Sequence, residues 1–280
     1  MPGRVFMRWV IPAILIGSGL VASASDERHL LRLNLKKYET YSYECDAVMT
    51  TVAKYRNSTE EPQTSSTTMN MNVTLRVTDV VMGQSSLACT ISELRVMQRD
   101  APSFELSFVV DPTGRVISST AESDDPIARL IMSTITPTEL IGVPLPKEPV
   151  KIGATWSTKK DDTISVDGAA GRVYTQGTLT NTFSAIRDTF GLPCWIIESA
   201  TKNVRQYGDI TAEGIDLTVS GTGQQSGKSY IDVSTGMVIR QEQSMSLQST
   251  TRPVSDELAE QATLEISTTL NILLQRRAIR

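Results

Sequence analysis

The amino-acid sequence predicts a mainly β protein, built as antiparallel sheets in two similar halves or as one curved half-barrel, with one packed helix near 126–135. Three observations predict this fold. Apolar and polar residues alternate strictly over long stretches, most clearly over 69–78. Two segments, 110–117 and 231–239, place an Asp and a Gly between apolar runs, which is typical of tight hairpins. One stretch of helical spacing separates the two β-rich parts.

The N-terminus has the order of a secretory signal peptide. Arg4 and Arg8 flank a short apolar run over 9–21, and Ala22-Ser23-Ala24 offers a small-residue cleavage site. The run is shorter than the roughly 20 residues that a membrane-spanning helix needs. We therefore expect residues 1–24 to be a signal peptide cleaved after Ala24. The mature chain is expected to be secreted or periplasmic, without a transmembrane segment.

Two β-rich halves are expected, at 25–118 and 151–280. Side chains of a strand alternate between the two faces of its sheet, so the alternation indicates antiparallel strands with one apolar face and one solvated face. It recurs over 31–35, 41–46, 104–108, 215–219 and 264–272. Both halves also contain a strand, a short Gly loop, a strand and a later Asp-Gly hairpin. This order favours a weak internal repeat, although any meander of hairpins would also produce it.

Residues 119–150 are expected to hold a helix and a Pro-rich connector. Asp124-Asp125-Pro126 is a good helix start, and Pro137 ends the helical pattern. Between them, one apolar stripe has helical spacing: Ile127, Leu130, Ile131 and Ile135. Gly142 and the prolines that follow it then predict an extended connector. A single amphipathic helix of this kind is expected to cover one face of a sheet.

Charge argues against nucleic acid as the partner. The chain has 27 basic and 31 acidic residues, and the leader contains two of the basic ones and none of the acidic ones. The mature net charge is therefore −6, and the basic residues form no stripe. The expected partners are an apolar small molecule or lipid, or another envelope protein.

A search for reactive groups assigns no catalytic, cofactor-binding or metal-binding residue. His29 is the single histidine, which argues against triad chemistry and excludes metal sites built from several histidines. The segment 221–229 ends in Gly-Lys-Ser like a phosphate-binding loop, but a hairpin rather than a helix follows it. A Gly-rich strand or bulge is the preferred interpretation. Pairs of acidic residues indicate solvated loops: Glu60-Glu61, Asp124-Asp125 and Asp161-Asp162.

Three cysteines leave the disulfide pattern open. Outside the cytoplasm a pair is expected to oxidise, and one thiol would then be left over. Cys45 and Cys89 would join two strands of the N-terminal half, whereas Cys89 and Cys194 would join the halves. Each cysteine also has apolar neighbours, so three buried free thiols are equally consistent with the sequence.

Three segments carry a resemblance to a known family. Residues 31–43 form an alternating strand followed by Tyr41-Ser42-Tyr43, residues 144–156 form a Pro-rich connector ending in Gly-Ala-Thr-Trp, and residues 234–238 form a Ser-Thr-Gly hairpin. Together they resemble a family of secreted bacterial proteins that is a domain of unknown function. Tyr38 stands where that family has Gly. The resemblance implies a β-rich envelope protein and supplies no catalytic residue.

A looser likeness is to the half-barrels of periplasmic lipoprotein carriers, in which a curved antiparallel sheet wraps a helix and encloses an apolar cavity. This likeness is at the level of fold.

These observations favour a non-enzymatic envelope protein that binds an apolar or lipid-like ligand between sheet and helix. Candidate lining residues are Met69, Met71, Val73, Leu75, Leu130 and Ile131, since adaptable thioether side chains suit irregular apolar ligands. Ordinary core packing is the competing interpretation of these residues. The alternative function is a structural or protein-interaction module of the envelope. A carboxylate-based hydrolase is the third hypothesis.

Overall fold

The computed structural model describes residues 27–97, 99–120, 140–164, 169–255, 259 and 262–277. The expected signal peptide (1–24) and the expected helix near 126–135 lie outside these residues. The same holds for Leu130 and Ile131.

Within the described residues, twelve antiparallel strands form one sheet, which confirms the mainly β, antiparallel prediction. The strands are β1 (Thr40–Tyr55), β2 (Gln63–Val81), β3 (Gln84–Val96), β4 (Arg99–Asp100), β5 (Phe104–Val110), β6 (Val116–Thr120), β7 (Thr155–Ile164), β8 (Ala169–Thr189), β9 (Leu192–Ala212), β10 (Ile215–Asp232), β11 (Val238–Pro253) and β12 (Leu264–Arg276).

The strand order is β6-β5-β3-β2-β1-β12-β11-β10-β9-β8-β7, with the short β4 paired to β3. The two expected halves therefore belong to one sheet rather than two, because β1 pairs with β12 from Tyr43↔Arg276 to Tyr55↔Leu264. β6 continues to Thr120, two residues past the expected boundary at 118.

Alternation along β2 shows why these residues form strands. Met71, Val73, Leu75 and Val77 are buried in the core, whereas Arg76 and its outward neighbours face solvent. An extended backbone is the conformation that buries every second residue of such a sequence. We call the core-facing side of the sheet its inner face and the opposite side its outer face.

The segment 31–35 is not a strand of the sheet, contrary to its alternating pattern. It crosses one end of the sheet and is held by backbone hydrogen bonds to turns. The Leu33 amide donates to Pro112 O (2.8 Å) in the β5–β6 turn, and the Asn34 amide donates to Thr235 O (2.9 Å) in the β10–β11 turn. Leu31 and Leu35 are buried beneath the sheet end, and that burial accounts for the alternation.

Those two hydrogen bonds require the sheet to curl. In a flat sheet the β5–β6 and β10–β11 turns would lie at least five strand spacings apart, which is roughly 24 Å. Successive residues span at most about 3.6 Å, so the two carbonyl oxygens bonded to Leu33 and Asn34 lie within roughly 10 Å of each other. One end of the sheet is therefore drawn together, and the large hydrophobic core lies at this end.

One hydrophobic core contains residues from the segment before β1, from the connector and from strands of both β-rich parts. Its buried members include Leu31 before the sheet, Phe108 of β5, Leu145 of the connector, Phe183 of β8 and Leu274 of β12. The two β-rich parts therefore share one core as well as one sheet. A second, small cluster farther along the long strands consists of Val173, Ile210 and Val219.

A buried ion pair fixes the β10–β11 turn against β12. Arg276 Nη1 and Nη2 each donate to Asp232 Oδ2 at 3.3 Å, and both side chains are largely buried. Asp232 Oδ1 accepts hydrogen bonds from the backbone amide and the hydroxyl of Ser234. Burial by itself raises the pKa of Asp232, but the bonds from Ser234 and the charge of Arg276 outweigh it and hold the pKa below its ordinary value.

Replacing Asp232 with Asn should lower the free energy of unfolding at pH 7 by about 3–5 kcal/mol, because Arg276 then remains buried without a counter-charge. Because the pKa of Asp232 is lowered in the folded state, its contribution is complete above the ordinary carboxyl value of 3.8 and is lost as the pH falls through the lowered pKa. Urea unfolding at pH 7 and pH 3 measures both effects.

Asp111→Asn is the matched control, since Asp111 Oδ1 accepts from the amide of Thr113 in the corresponding β5–β6 turn. Its loss should be under about 1 kcal/mol. Equal losses in the two variants, or a loss at Asp232 that is the same at both pH values, would contradict the assigned role of the ion pair.

Candidate functional site

A pocket of about 260 Å³ opens on the inner face of the sheet, beside the core. Strands β7 to β11 form its walls, and connector residues Gly142, Val143 and Pro144 line it on a further side. Its inner-face lining is mostly uncharged and polar: Thr158, Asn181, Ser199, Gln225, Ser229 and Gln241. Lys159, Lys160 and Asp161 of β7 also line it. This polar pocket is the candidate functional site.

The connector is held in place by hydrogen bonds to its backbone. The Trp156 indole donates to Pro144 O (2.8 Å), and the Leu145 amide donates to Thr113 O (2.7 Å). The Arg32 guanidinium donates to the carbonyls of Pro146 and Lys147. The wall that the connector contributes is therefore tied to β7, to the β5–β6 turn and to the N-terminal segment.

Cross-strand pairing brings the polar residues together. Opposite residues of an antiparallel pair share a face, so the pairs Thr201↔Gln225 and Ser229↔Gln241 place four polar side chains on the inner face. A register shift between Gly223 and Gln225 in β10 sets the position of Gln225. This shift fits the Gly-rich strand or bulge expected for 221–229.

One part of the lining is satisfied internally. Asn181 is fully buried, donates from Nδ2 to Thr158 Oγ1 (2.7 Å) and accepts at Oδ1 from the Ser199 hydroxyl (2.7 Å). These bonds link β7, β8 and β9 and rigidify that wall.

Two carbonyl oxygens of the lining are not satisfied. Gln225 is 8 % exposed and Gln241 3 % exposed, and the Oε1 atom of each is buried and accepts no hydrogen bond from the described residues. A Cβ built on Gly142 would lie 3.8 Å from Gln241 Oε1, so this oxygen faces the connector wall of the pocket. Leaving a buried acceptor unpaired costs about 1–3 kcal/mol. Unpaired buried acceptors of this kind are uncommon in folded proteins.

An apolar surface continues from the polar pocket along the inner face. The pairs Gln243↔Ile272 and Gln225↔Met245 put apolar side chains next to the glutamines. Further pairing extends the row through β12 and β1 to β2, with the half-buried residues Met245, Leu270, Ile272, Met49 and Met69. The inner face is therefore polar around the pocket, on β8–β10 and the first part of β11, and apolar from Met245 of β11 across β12 and β1 to β2.

The expected lining residues divide between this surface and the core. Met69 is half-buried and belongs to the apolar row, while Met71, Val73 and Leu75 are at most 3 % exposed and lie within the packed core. Leu130 and Ile131 lie outside the described residues.

The polar lining was not predicted from the sequence. A detectable signal exists, because 222–229 and 240–244 are polar at both odd and even positions. A strand of this kind in the middle of a sheet must put polar side chains on both faces, including the buried one.

The three cysteines are buried, and none forms a disulfide. Cys45 is on β1 and Cys89 on β3, and β2 lies between those strands, so their Cα atoms are at least two strand spacings apart, or roughly 9.5 Å. They are also offset along β2, where Cys45 pairs with Met71 and Cys89 with Leu75. That distance is too long for a disulfide. Burial raises the pKa of the Cys89 thiol to about 12, and burial also raises that of Cys194.

The other reactive groups are dispersed. His29 pairs with Val150 through its backbone, and its ring contacts the Phe183 ring edge-to-face at 5.8 Å. Glu60 and Glu61 are exposed, as is Asp161. Within the described residues, no group of three or more His, Cys, Asp or Glu side chains is arranged to hold a metal ion.

No protein-family model and no curated protein matches the chain. The resemblance to a secreted domain family therefore stays a prediction. Within the described part of the chain, no helix has the length and apolar character needed to cross a membrane.

Thiol reagents should leave Cys45, Cys89 and Cys194 unmodified in the native protein at pH 8, because all three thiols are buried and burial raises the pKa of Cys89 and Cys194. In guanidinium chloride without reductant, all three thiols should react, as counted by the mass added per chain. Modification of a single thiol in the unfolded chain would instead reveal one disulfide.

Replacing Gly142 with Ala should destabilise the pocket wall. Gly142 has φ +109°, and an added Cβ would lie 2.5 Å from Val238 Cγ2. Gly153 (φ +88°) is the matched control, because a Cβ there meets nothing within 4 Å. Gly142→Ala should lose about 1–3 kcal/mol of unfolding free energy beyond Gly153→Ala, the amount typical of overpacking. Equal urea midpoints for the two variants would show that the connector accommodates the added Cβ without loss of stability, contrary to this prediction.

Proposed function

We propose that this protein is a non-catalytic binding protein of the cell envelope that holds an amphipathic, lipid-like ligand on the inner face of its curved sheet. The ligand's polar head occupies the pocket lined by Gln225 and Gln241. Its apolar chain lies along the half-buried row that runs from Met245 of β11 across β12 and β1 to β2. The observation that carries this proposal is the division of one continuous inner face into a polar part and an apolar part.

The dimensions of the pocket support the placement of the head group there and of the chain on the apolar row. A pocket of about 260 Å³ is near the lower limit of about 300 Å³ for small-molecule sites, which suits a head group rather than a whole lipid. The apolar row of Met49, Met69, Met245, Leu270 and Ile272 begins one strand away from the glutamines. Three of its five members are methionines, whose flexible side chains adapt to chains of different shape.

The proposed location rests on the sequence alone. The expected leader directs the chain out of the cytoplasm, where a carrier or sensor of lipid-like molecules would operate.

A protein-interaction module is less well supported. β7 is an edge strand that pairs with β8 alone among the described strands, and such an edge can accept a partner strand. However, Lys159, Lys160 and Asp161 follow one another on it, and charged residues on an edge oppose strand addition.

A carboxylate hydrolase has less support still. Among the described residues, the carboxyl groups of Asp79 and Asp232 have clearly shifted pKa values, and both are lowered. Lys37 lowers the pKa of Asp79, and hydrogen bonds from Ser234 together with the charge of Arg276 lower that of Asp232. A general acid needs a raised pKa.

Met49→Glu tests the apolar half of the site. The substitution puts a carboxylate into the row that receives the chain, so the affinity for dodecyl glucoside should fall at least tenfold, because each buried methylene contributes about 0.8 kcal/mol. Isothermal titration calorimetry below the critical micelle concentration measures this affinity.

Val48→Glu is the control, since Val48 is the preceding residue and lies 41 % exposed on the outer face. It should bind the glucoside like the unsubstituted protein. Thermal unfolding of both variants checks that Met49→Glu is folded at the assay temperature. Equal affinities in the two variants would remove the apolar row from the site.

A further inference from the structure

We infer that the outer face of the sheet, opposite the proposed amphiphile site, binds an acidic glycan chain. The site is an open groove of about 930 Å³ that crosses strands β9, β10, β11, β12 and β1. This inference does not rest on the proposed function, because the two sites lie on opposite faces and share no lining residue.

The register of the sheet builds this groove from two neighbouring rows of outward-facing residues. Opposite residues of an antiparallel pair share a face, so successive cross-strand partners form one row: Tyr207, Ser220, Thr250, Glu265 and Lys54. The second row lies two residues away on each strand and runs from Arg205 to Val52. Five strands span four spacings, so the groove is about 19 Å long, which suits an oligomer better than a single small molecule.

The floor of the groove is polar and uncharged. It is formed by Ser220, Thr222, Gln248, Thr250 and Ser267, which are exposed or half-buried. In the described part of the chain, no hydrogen bond engages these five side chains. A hydroxyl group both donates and accepts, and so does a glutamine amide. The floor can therefore pair with the hydroxyl groups of a sugar in either direction.

An exposed aromatic ring stands at the β9 end of the groove. Tyr207 is 43 % exposed, and its ring stacks on that of Tyr174, its partner on β8, with the centroids 5.5 Å apart and 25° between the planes. β8 lies on the side of β9 away from the groove, so the second face of the Tyr207 ring is turned toward the groove. The face of an aromatic ring is apolar and electron-rich, and it packs well against the C–H groups on the flat side of a sugar ring.

Charge selects an acidic glycan over a neutral one. Arg205 lies at the β9 end and Lys54 at the β1 end, and neither forms an ion pair with a described residue. Glu265 is the one carboxylate among the described lining residues, and Arg56 already binds it (Nε to Oε1 2.8 Å). Each end of the groove therefore has a cation without a bound counter-charge, which favours a chain that carries carboxylates or sulfates along its length.

Other polyanions match the outer face less well. The next depression on this face is lined by three carboxylates, those of Asp46, Glu198 and Glu242. A single-stranded nucleic acid has a charge on every nucleotide, so these carboxylates would repel it where it extends beyond the groove. An oligoglutamate has the required charge but no ring to pack against Tyr207.

The test uses a hexamer of galacturonic acid and its fully methyl-esterified form, which keeps the same rings without the charge. Isothermal titration calorimetry at low salt should show that the acidic hexamer binds about tenfold more tightly than the ester. High salt should abolish this difference, because it screens exposed charges.

Variants of the groove separate the contribution of the ring from that of the charges. Tyr207→Ala should weaken the binding of both hexamers about tenfold, whereas Tyr207→Phe keeps the ring face and should bind both within about twofold of the unsubstituted protein. Arg205→Gln and Lys54→Gln should each weaken only the acidic hexamer, by about threefold to fivefold.

Arg187→Gln is the matched control for the charge variants. Arg187 is exposed, and its cross-strand partner Cys194 lies eleven residues from Arg205 on β9, or roughly 36 Å. This variant should bind both hexamers like the unsubstituted protein. Because the substituted residues are exposed, all five variants should keep the melting temperature of the unsubstituted protein.

Three results would overturn the inference: no binding of the acidic hexamer, equal losses in Arg187→Gln and Arg205→Gln, or unchanged binding in Tyr207→Ala. Binding of an oligothymidylate or an oligoglutamate of six units as tightly as the acidic hexamer would also overturn it. The proposed function is tested separately, since Tyr207→Ala should still bind dodecyl glucoside normally and Met49→Glu should still bind the acidic hexamer.

Discussion

The attachment of residues 33–34 to two distant turns is the constraint on which the rest of the structure depends. Successive amides at Leu33 and Asn34 bind carbonyls of the β5–β6 and β10–β11 turns, which lie at least five strands apart in the sheet order. The sheet must therefore curl at this end, and the buried Asp232–Arg276 pair holds one of these turns to β12. Curling gives the inner face a concave shape and brings residues from both parts of the chain into one core.

A concave face that is only partly filled by core has two chemical parts. Near the drawn-in end the apolar residues pack closely. Farther along the strands the face is polar on β8–β10 and the first part of β11, and apolar from Met245 of β11 across β12 and β1 to β2. Burying Gln225 and Gln241 with unpaired carbonyl oxygens opposes folding. The two glutamines therefore lower the stability of the fold at the place where the pocket lies.

The strands and their inner faces could be predicted because side-chain alternation is a local property. Met71, Val73 and Leu75 were expected on an apolar face and are buried there. Alternation does not say what an apolar face packs against, so the same residues were also candidates for a ligand lining. Leu31 and Leu35 alternate for a different reason: their segment crosses the sheet end and pairs with none of its described strands, because its amides bind turns instead. The polar pocket residues have a local signal, since 222–229 and 240–244 are polar at both odd and even positions, but that signal does not say which of these side chains line a cavity.

By itself the sequence determined the antiparallel β class and the positions of the Asp-Gly hairpins, because backbone geometry translates a two-residue period and a tight turn directly into structure. Only the tertiary structure decided that the two parts share one sheet, that Cys45 and Cys89 are separated by β2, and that Gln225 and Gln241 share a cavity. Those properties depend on pairing between residues far apart in the chain and on the curl of the sheet. No local pattern encodes which strands become neighbours, and so the site emerged only with the fold.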